Sequence, residues 1–327
     1  MLLAQRAERD ETDAVKDAGG VAKLPVEAFE VRQGEELIMT LGLGLTLYFP
    51  RPFSAVRKEL LKFWCAYLEE VPPSTFTWAR LGGGNRSRAT SPAVFKTIAS
   101  WLDGSKPAGD TCWISIHDGP MDAMGAHGFM LSGEGAAKSE YDEESGFVEM
   151  TFPLSLLTTS TPDELAEKFI RLASKVPFVA GVAGLTFQRS PYKFNALIEP
   201  MGVLSKRYLG VEISAAERLC YLAARGLPSV NWITFVGTSH LPKLGGFDKL
   251  ATDLLGISTV APLPFGVAVV TGKGPVLGDV ERPDDGVRAL KRAYEVLRAA
   301  QFADEDYAFH GIRFPGDATV EWLTRWS

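Results

Sequence analysis

The residues of this 327-residue chain that could do chemistry are four histidines, three cysteines and a few glycine turns. Gly237-Thr238-Ser239-His240-Leu241 sets a serine on a strand-to-loop turn beside a histidine, which is how a nucleophile elbow begins. Leu241 stands where a second glycine would let such a turn pack, so an ordinary turn serine is expected. His117, Asp118, Asp122 and His127 offer ligating atoms close together, but their spacing matches no zinc or non-haem iron pattern. Gly82-Gly83-Gly84-Asn85-Arg86 and Gly272-Lys273-Gly274 could cradle a phosphate through backbone N–H groups. Neither runs into Gly-Lys-Ser/Thr or a full dinucleotide fingerprint, and turns explain both. The histidines at 117, 127, 240 and 310 fall in different elements. A relay assembled through the fold stays open, since triad members need not be sequence neighbours, but no spacing recommends one. The expectation is no catalytic residue, no metal and no cofactor.

Composition narrows the partner. With 34 Lys plus Arg against 40 Asp plus Glu, the net charge is -6, which disfavours a surface built to neutralise phosphates and favours a basic partner. A chain 46% hydrophobic and 23% charged buries a substantial core unaided. Cys65, Cys112 and Cys220 are an odd, widely spaced set, expected to be reduced and buried. Met1-Leu2-Leu3 meets Arg6, Glu8, Arg9, Asp10 and Glu11 before an apolar signal core can form, so no export and a cytoplasmic location are expected. The uncharged run Leu254 to Gly272 is interrupted by Gly256, Pro262, Pro264 and Gly266, and reads as a loop plus a buried strand.

The elements that would hold these residues alternate. Residues 1–36 are a charged, loosely ordered leader whose removal should be tolerated. Residues 37–327 are one domain, with two intimately packed halves at 37–160 and 161–327 as an option. Leu41, Leu43, Leu45 and Leu47 alternate with Gly42, Gly44 and Thr46 as in a half-buried strand. Val56, Leu60, Phe63, Tyr67 and Leu68 recur at helical spacing and stop before Pro72-Pro73. Strands are expected at 75–81, 111–117, 127–132 and 147–152. Thr161-Pro162-Asp163-Glu164 is a capping box that opens a helix burying Leu165, Phe169, Leu172, Ala173 and Val176. After Pro177 comes a glycine-rich strand at 181–188, and a later helix buries Val287, Leu290, Tyr294 and Leu297. The fold class is α/β (α+β mixed), with mixed sheets. Glu59-Leu60 with Val71-Pro72, echoed by Glu164-Leu165 with Val176-Pro177, allows two related strand-helix-strand modules or a coincidence.

Three segments carry no reactive side chain yet form a specific signature. The first is Pro177-Phe178-Val179-Ala180-Gly181-Val182-Ala183-Gly184-Leu185. The second is Asn231-Trp232-Ile233-Thr234-Phe235-Val236-Gly237, followed by Gly245-Gly246. The third is Gly278-Asp279 ahead of the helix bearing Tyr294. Together they resemble the type VI secretion immunity proteins paired with VRR-Nuc-type nuclease effectors. The likeness spans roughly residues 37–327 and is most specific between 176 and 294, with Ile233 and Val236 as conservative departures. It implies an immunity protein that binds a cognate nuclease effector and performs no catalysis.

An acidic surface suits that task, because a nuclease groove is cationic to hold phosphate and opposite charge speeds encounter. In the densest run, Glu134, Glu140, Asp142, Glu143, Glu144 and Glu149 face only Lys138, and Tyr141 is an aromatic of the kind that anchors interfaces. Glu140, Tyr141, Asp142, Glu143 and Glu144 are therefore the candidate partner contacts, against the alternative of a solvated hairpin loop. Asp279, Glu281, Asp284 and Asp285 form a second acidic group that can cap the following helix. Trp64 and Trp232 are expected in the core, and Trp322 and Trp326 on one side of a terminal helix. Two other functions stay open: an enzyme acting on a small molecule between the lobes, and an adaptor of a secretion apparatus.

Overall fold

The computed structural model describes residues 24–327 except 51, 83–86, 108–110, 122, 135–144, 191, 214, 283–284 and 303–317. The strands are β1 (Val31–Gln33), β2 (Glu36–Phe49), β3 (Trp78–Leu81), β4 (Arg88–Ala89), β5 (Thr111–His117), β6 (Gly128–Glu134), β7 (Gly146–Phe152), β8 (Ala180–Arg189), β9 (Ile233–Gly237), β10 (Ser258–Leu263) and β11 (Gly266–Thr271). The helices are α1 (Phe53–Glu70), α2 (Pro92–Leu102), α3 (Leu156–Thr159), α4 (Pro162–Ala173), α5 (Phe194–Arg207), α6 (Ala216–Ala223), α7 (Phe247–Asp253), α8 (Asp285–Leu297) and α9 (Ala318–Leu323).

The chain is α/β, and its strands form one eleven-stranded sheet in the order β10-β11-β9-β8-β2-β7-β6-β5-β3-β4, with β1 paired to β2. Every ladder is antiparallel, where mixed sheets were expected. The cause lies in the connections. β5-β6, β6-β7 and β10-β11 are sequence neighbours that pair as antiparallel hairpins, β8 and β9 are antiparallel neighbours joined through α5 and α6, and the helical crossovers β2-β3, β4-β5 and β7-β8 each pass over at least one strand before rejoining the sheet. The crossover through α1 joins β2 to β3, four positions apart, and the crossover through α4 joins β7 to β8, which flank β2. The echo between residues 59–72 and 164–177 thus marks two crossovers of different span, not two copies of one module.

β2 sits at the middle of the sheet and joins its two parts through a long ladder to β8, from Met39↔Arg189 to Tyr48↔Ala180. Residues 41–49 are buried on both faces, which corrects the expectation of a half-buried strand. The glycines between the leucines face protein: a Cβ on Gly42 would lie 2.7 Å from the Gln188 Oε1 atom. On the leucine face, α1 and α4 supply an aromatic core in which Tyr67 meets Phe129 at 5.3 Å, and Phe169 meets Phe152 at 5.7 Å and Trp232 at 6.3 Å. α6 packs on β2 and β7, bringing Cys220 and Glu217 close to Tyr48 on the opposite face.

The capping box forms as expected. The Thr161 hydroxyl accepts from the Glu164 N–H at 3.3 Å, and the Glu164 carboxylate accepts from the Thr161 N–H at 2.7 Å. The N-terminal boundary moves. Residues 26–33, assigned to the leader, form a 3-10 turn and β1, and Phe29 is fully buried against Tyr208 at 4.8 Å and Phe187 at 5.9 Å. One aromatic in a polar segment is enough to dock it. The run Leu254 to Gly272 holds two strands instead of one, the edge strand β10 and the buried β11, and Pro262 lies on the edge strand, where a missing N–H is tolerated. Among the described residues no helix is long and apolar enough to cross a membrane. Cys65 is exposed on α1, contrary to expectation, while Cys112 and Cys220 are buried and burial pushes the Cys112 thiol up to about 12.

Candidate functional site

The signature segments converge on β8 and β9, where they build a buried polar knot. Asn231 precedes β9 inside an apolar run, and such an amide must be satisfied by the protein itself. Its side-chain oxygen accepts from the Trp232 N–H at 2.7 Å, its Nδ2 donates to Glu212 Oε2 at 3.3 Å, and its backbone N–H donates to the Thr234 hydroxyl at 3.2 Å. Glu212 also accepts from the Ser229 hydroxyl at 2.8 Å. Its counter-ion comes from the end of the chain: Arg325 Nη2 lies 3.4 Å from Glu212 Oε2 and donates to Ser229 Oγ at 2.8 Å. Arg325 further donates to the carbonyls of Leu209 at 2.7 Å and Trp322 at 2.9 Å. Its guanidinium lies 4.1 Å from the ring centre of Trp322 and 5.5 Å from that of Trp326, whose indole N–H reaches the Val230 carbonyl at 3.0 Å. Burial pushes the Glu212 carboxyl up; Arg325, Ser229 and Asn231 pull it back without restoring its ordinary value.

The glycines of the signature make room for this knot. A Cβ on Gly184 would lie 2.5 Å from the Asn231 Oδ1 atom. Gly181 faces the Thr46 carbonyl, and Gly237 faces the carbonyls of Phe178 and Val179. Phe178 follows Pro177 and packs on Phe235 at 5.7 Å. Gly245 and Gly246 have φ of 79° and 89°, a conformation that L side chains avoid, and they turn the chain into α7. Gly278 packs on the Gly210 backbone, and Asp279 accepts from Arg207 and from the Glu281 N–H at 3.1 Å, so it fixes this turn instead of capping α8. Trp64, Trp232, Trp322 and Trp326 are all buried.

The reactive residues are dispersed. Ser239 is exposed, while His240 is buried and its Nε2 lies 3.0 Å from the Ala223 carbonyl, so the two form no nucleophile-base pair. Burial holds the His240 imidazole below its ordinary pKa. His127 Nδ1 meets Asp118 Oδ2 at 2.8 Å; burial pushes the Asp118 carboxyl up, and hydrogen bonds from His127 more than reverse this, leaving it lowered. His117 is buried beside Tyr192, with ring centres 6.1 Å apart. Asp122 and His310 lie outside the described residues. Among the described residues no group of His, Cys, Asp and Glu is placed to hold a metal.

His117 also lines a small cavity with Ser115, Glu149, Thr151 and Arg189 and with the apolar Ile116, Phe129 and Met130. Its volume is about 40 Å³, room for about three or four waters at roughly 10–15 Å³ each and far below the ~300–1,000 Å³ of ligand pockets. Glu149, counted with the acidic run, lies in the strand expected at 147–152 but is buried there, which removes it from the acidic surface. The candidate contacts Glu140, Tyr141, Asp142, Glu143 and Glu144 lie outside the described residues. Sequence reasoning missed Glu212, Ser229 and Arg325; the available signal was a carboxyl and an amide stranded in apolar runs, each requiring a partner.

A family model described as TsiV, type VI immunity for VRR-NUC, matches residues 62–326. The chain belongs to the TsiV family. Membership makes it an immunity protein whose partner is a VRR-NUC nuclease effector. The solved structure of a Pseudomonas aeruginosa T6SS protein, PA0821, is similar in fold, with a TM-score of 0.74 and 20% sequence identity over 99% of this chain and 90% of that one. No curated protein matches. In this TsiV chain, signature residues such as Gly184, Asn231 and Gly237 pack and hydrogen-bond around β8 and β9.

Proposed function

We propose that this TsiV protein neutralises its nuclease effector in the cytoplasm by stoichiometric occlusion, as a single folded domain without turnover of its own. The observation that carries the reading is the absence, among the described residues, of any assembled reaction centre. Ser239 stands exposed and apart from the buried His240, the described histidines and carboxylates hold separate structural contacts, and the small cavity has room only for waters. Binding is the remaining way to disarm an enzyme. The acidic segment Glu140, Tyr141, Asp142, Glu143 and Glu144 is the proposed first contact, since a groove that holds phosphate attracts carboxylates and an aromatic supplies the anchor.

The test is co-expression with the nuclease encoded beside it, scored for growth rescue and for a 1:1 complex on co-purification. Ser239→Ala, His117→Ala and His240→Ala should each preserve protection. A folded variant among them that still binds the toxin but no longer protects would return an enzymatic mechanism. Glu143→Lys with Glu144→Lys should slow association and flatten its salt dependence; an unchanged on-rate removes the segment from the interface.

A further inference from the structure

α8 lays Val287, Leu290, Tyr294 and Leu297 against the domain and turns Arg288, Lys291, Arg292 and Glu295 outward; Arg298 follows in the adjoining 3-10 turn. Glu295 lies three or four residues from Lys291, Arg292 and Arg298, a favourable spacing, but the rest of the arrangement is unfavourable for the helix itself. Cations stabilise the C-terminal end of a helix, yet the last turn of α8 has none. Lys291 and Arg292 instead follow Arg288 in mid-helix, at three- and four-residue spacings where like charges repel. Among the described residues no carboxylate pairs with Lys291, Arg292 or Arg298, all of which are exposed. The patch extends beyond the helix. The turn Leu241–Leu244 packs on Arg298–Ala300, the exposed Lys243 donates to the Arg225 carbonyl, and the Leu227 N–H donates to the Ala300 carbonyl at 2.9 Å. Arg225, Lys243 and Arg298 therefore gather at the C-terminal end of the same stripe.

We propose that this cationic face of α8 is an interface for a carboxylate-rich surface of the cognate nuclease. The inference rests on the binding reading given above and adds a second contact of opposite sign. A nuclease that cleaves phosphodiesters with divalent ions surrounds those ions with carboxylates, so it presents negative charge beside its cationic groove. Lys291, Arg292 and Arg298, with which no carboxylate pairs among the described residues, meet that charge without first breaking such a pair. A phosphate backbone fits less well: the chain as a whole carries a net charge of -6, and the outward residues of α8 include no aromatic on which a base could stack.

The test measures association of the purified protein with a catalytically inactive effector, from about 50 to about 500 mM salt. Wild type is compared with the triple variant Lys291→Glu, Arg292→Glu, Arg298→Glu and with the milder Lys291→Gln, Arg292→Gln, Arg298→Gln. At low salt the on-rate should fall by about tenfold or more in the Glu variant and by less in the Gln variant, with a shallower salt dependence in both and an unchanged circular dichroism spectrum. If the Glu variant misfolds, the Gln variant alone decides. Wild-type on-rates and salt dependence in the folded variants overturn the inference and leave the binding reading intact. Failure of the wild type to form a complex ends both. Capture of a labelled DNA duplex by wild type but not by the variants makes the face a phosphate site and likewise overturns the proposal.

Discussion

Arg325→Leu tests whether the chain terminus is an essential part of the core. The guanidinium is almost entirely buried, and with it removed Glu212, itself only 8% exposed, faces Ser229 and Asn231 as an uncompensated carboxylate. Breaking a buried pair on one side costs about 3–5 kcal/mol. The carboxyl can escape by taking up a proton, which limits the charge penalty. From an ordinary pKa near 4.3, protonation at pH 7 costs about 1.4 kcal/mol for each of roughly 2.7 pH units, or about 3.7 kcal/mol, and at pH 5 only about 1 kcal/mol. The expected loss is therefore about 4 kcal/mol at pH 7 and about 1–2 kcal/mol at pH 5, the remainder reflecting the carbonyls of Leu209 and Trp322 left without their donor. Adding Glu212→Gln should recover about 2 kcal/mol at pH 7 and almost nothing at pH 5. Urea unfolding followed by tryptophan fluorescence at the two pH values reads all three proteins, since four of the tryptophans are buried. A loss under about 1 kcal/mol at pH 7, or the same loss at both pH values, refutes the reasoning.

Three further outcomes follow from the packing. Gly184→Ala forces a methyl to 2.5 Å from Asn231 Oδ1 and should cost about 1–3 kcal/mol in thermal or chemical unfolding, with a neutral result showing that the knot can shift. Deleting residues 1–23 should leave the melting temperature unchanged, whereas deleting 1–36 removes Phe29 and β1 and should cost at least the ~3–5 kcal/mol of a buried Phe→Ala change. His240 is held below its ordinary pKa, so below about pH 6.5 the unfolded chain binds more protons than the native one at this site and stability falls with pH. His240→Gln should flatten that decline between pH 7 and 5 in urea titrations; an unchanged slope assigns it to other groups.

Local order determined much of this protein. The Thr161 capping box, the stripes at 165–176 and 287–297 and the strands at 111–117 and 147–152 were legible because period and caps are properties of neighbouring residues. The immunity signature was legible too, since its glycines and Asn231 occur at fixed positions in the chain. Only the tertiary structure decided what those positions were for. It made β2 a central strand buried on both faces, buried Glu149 within its strand and away from the acidic surface, drew Phe29 out of the leader into the core, and brought Arg325 to Glu212 from 113 residues away. A lone charge or amide in an apolar run states that a partner is required. Which residue answers depends on chain closure over long separations, and a linear sequence does not display that.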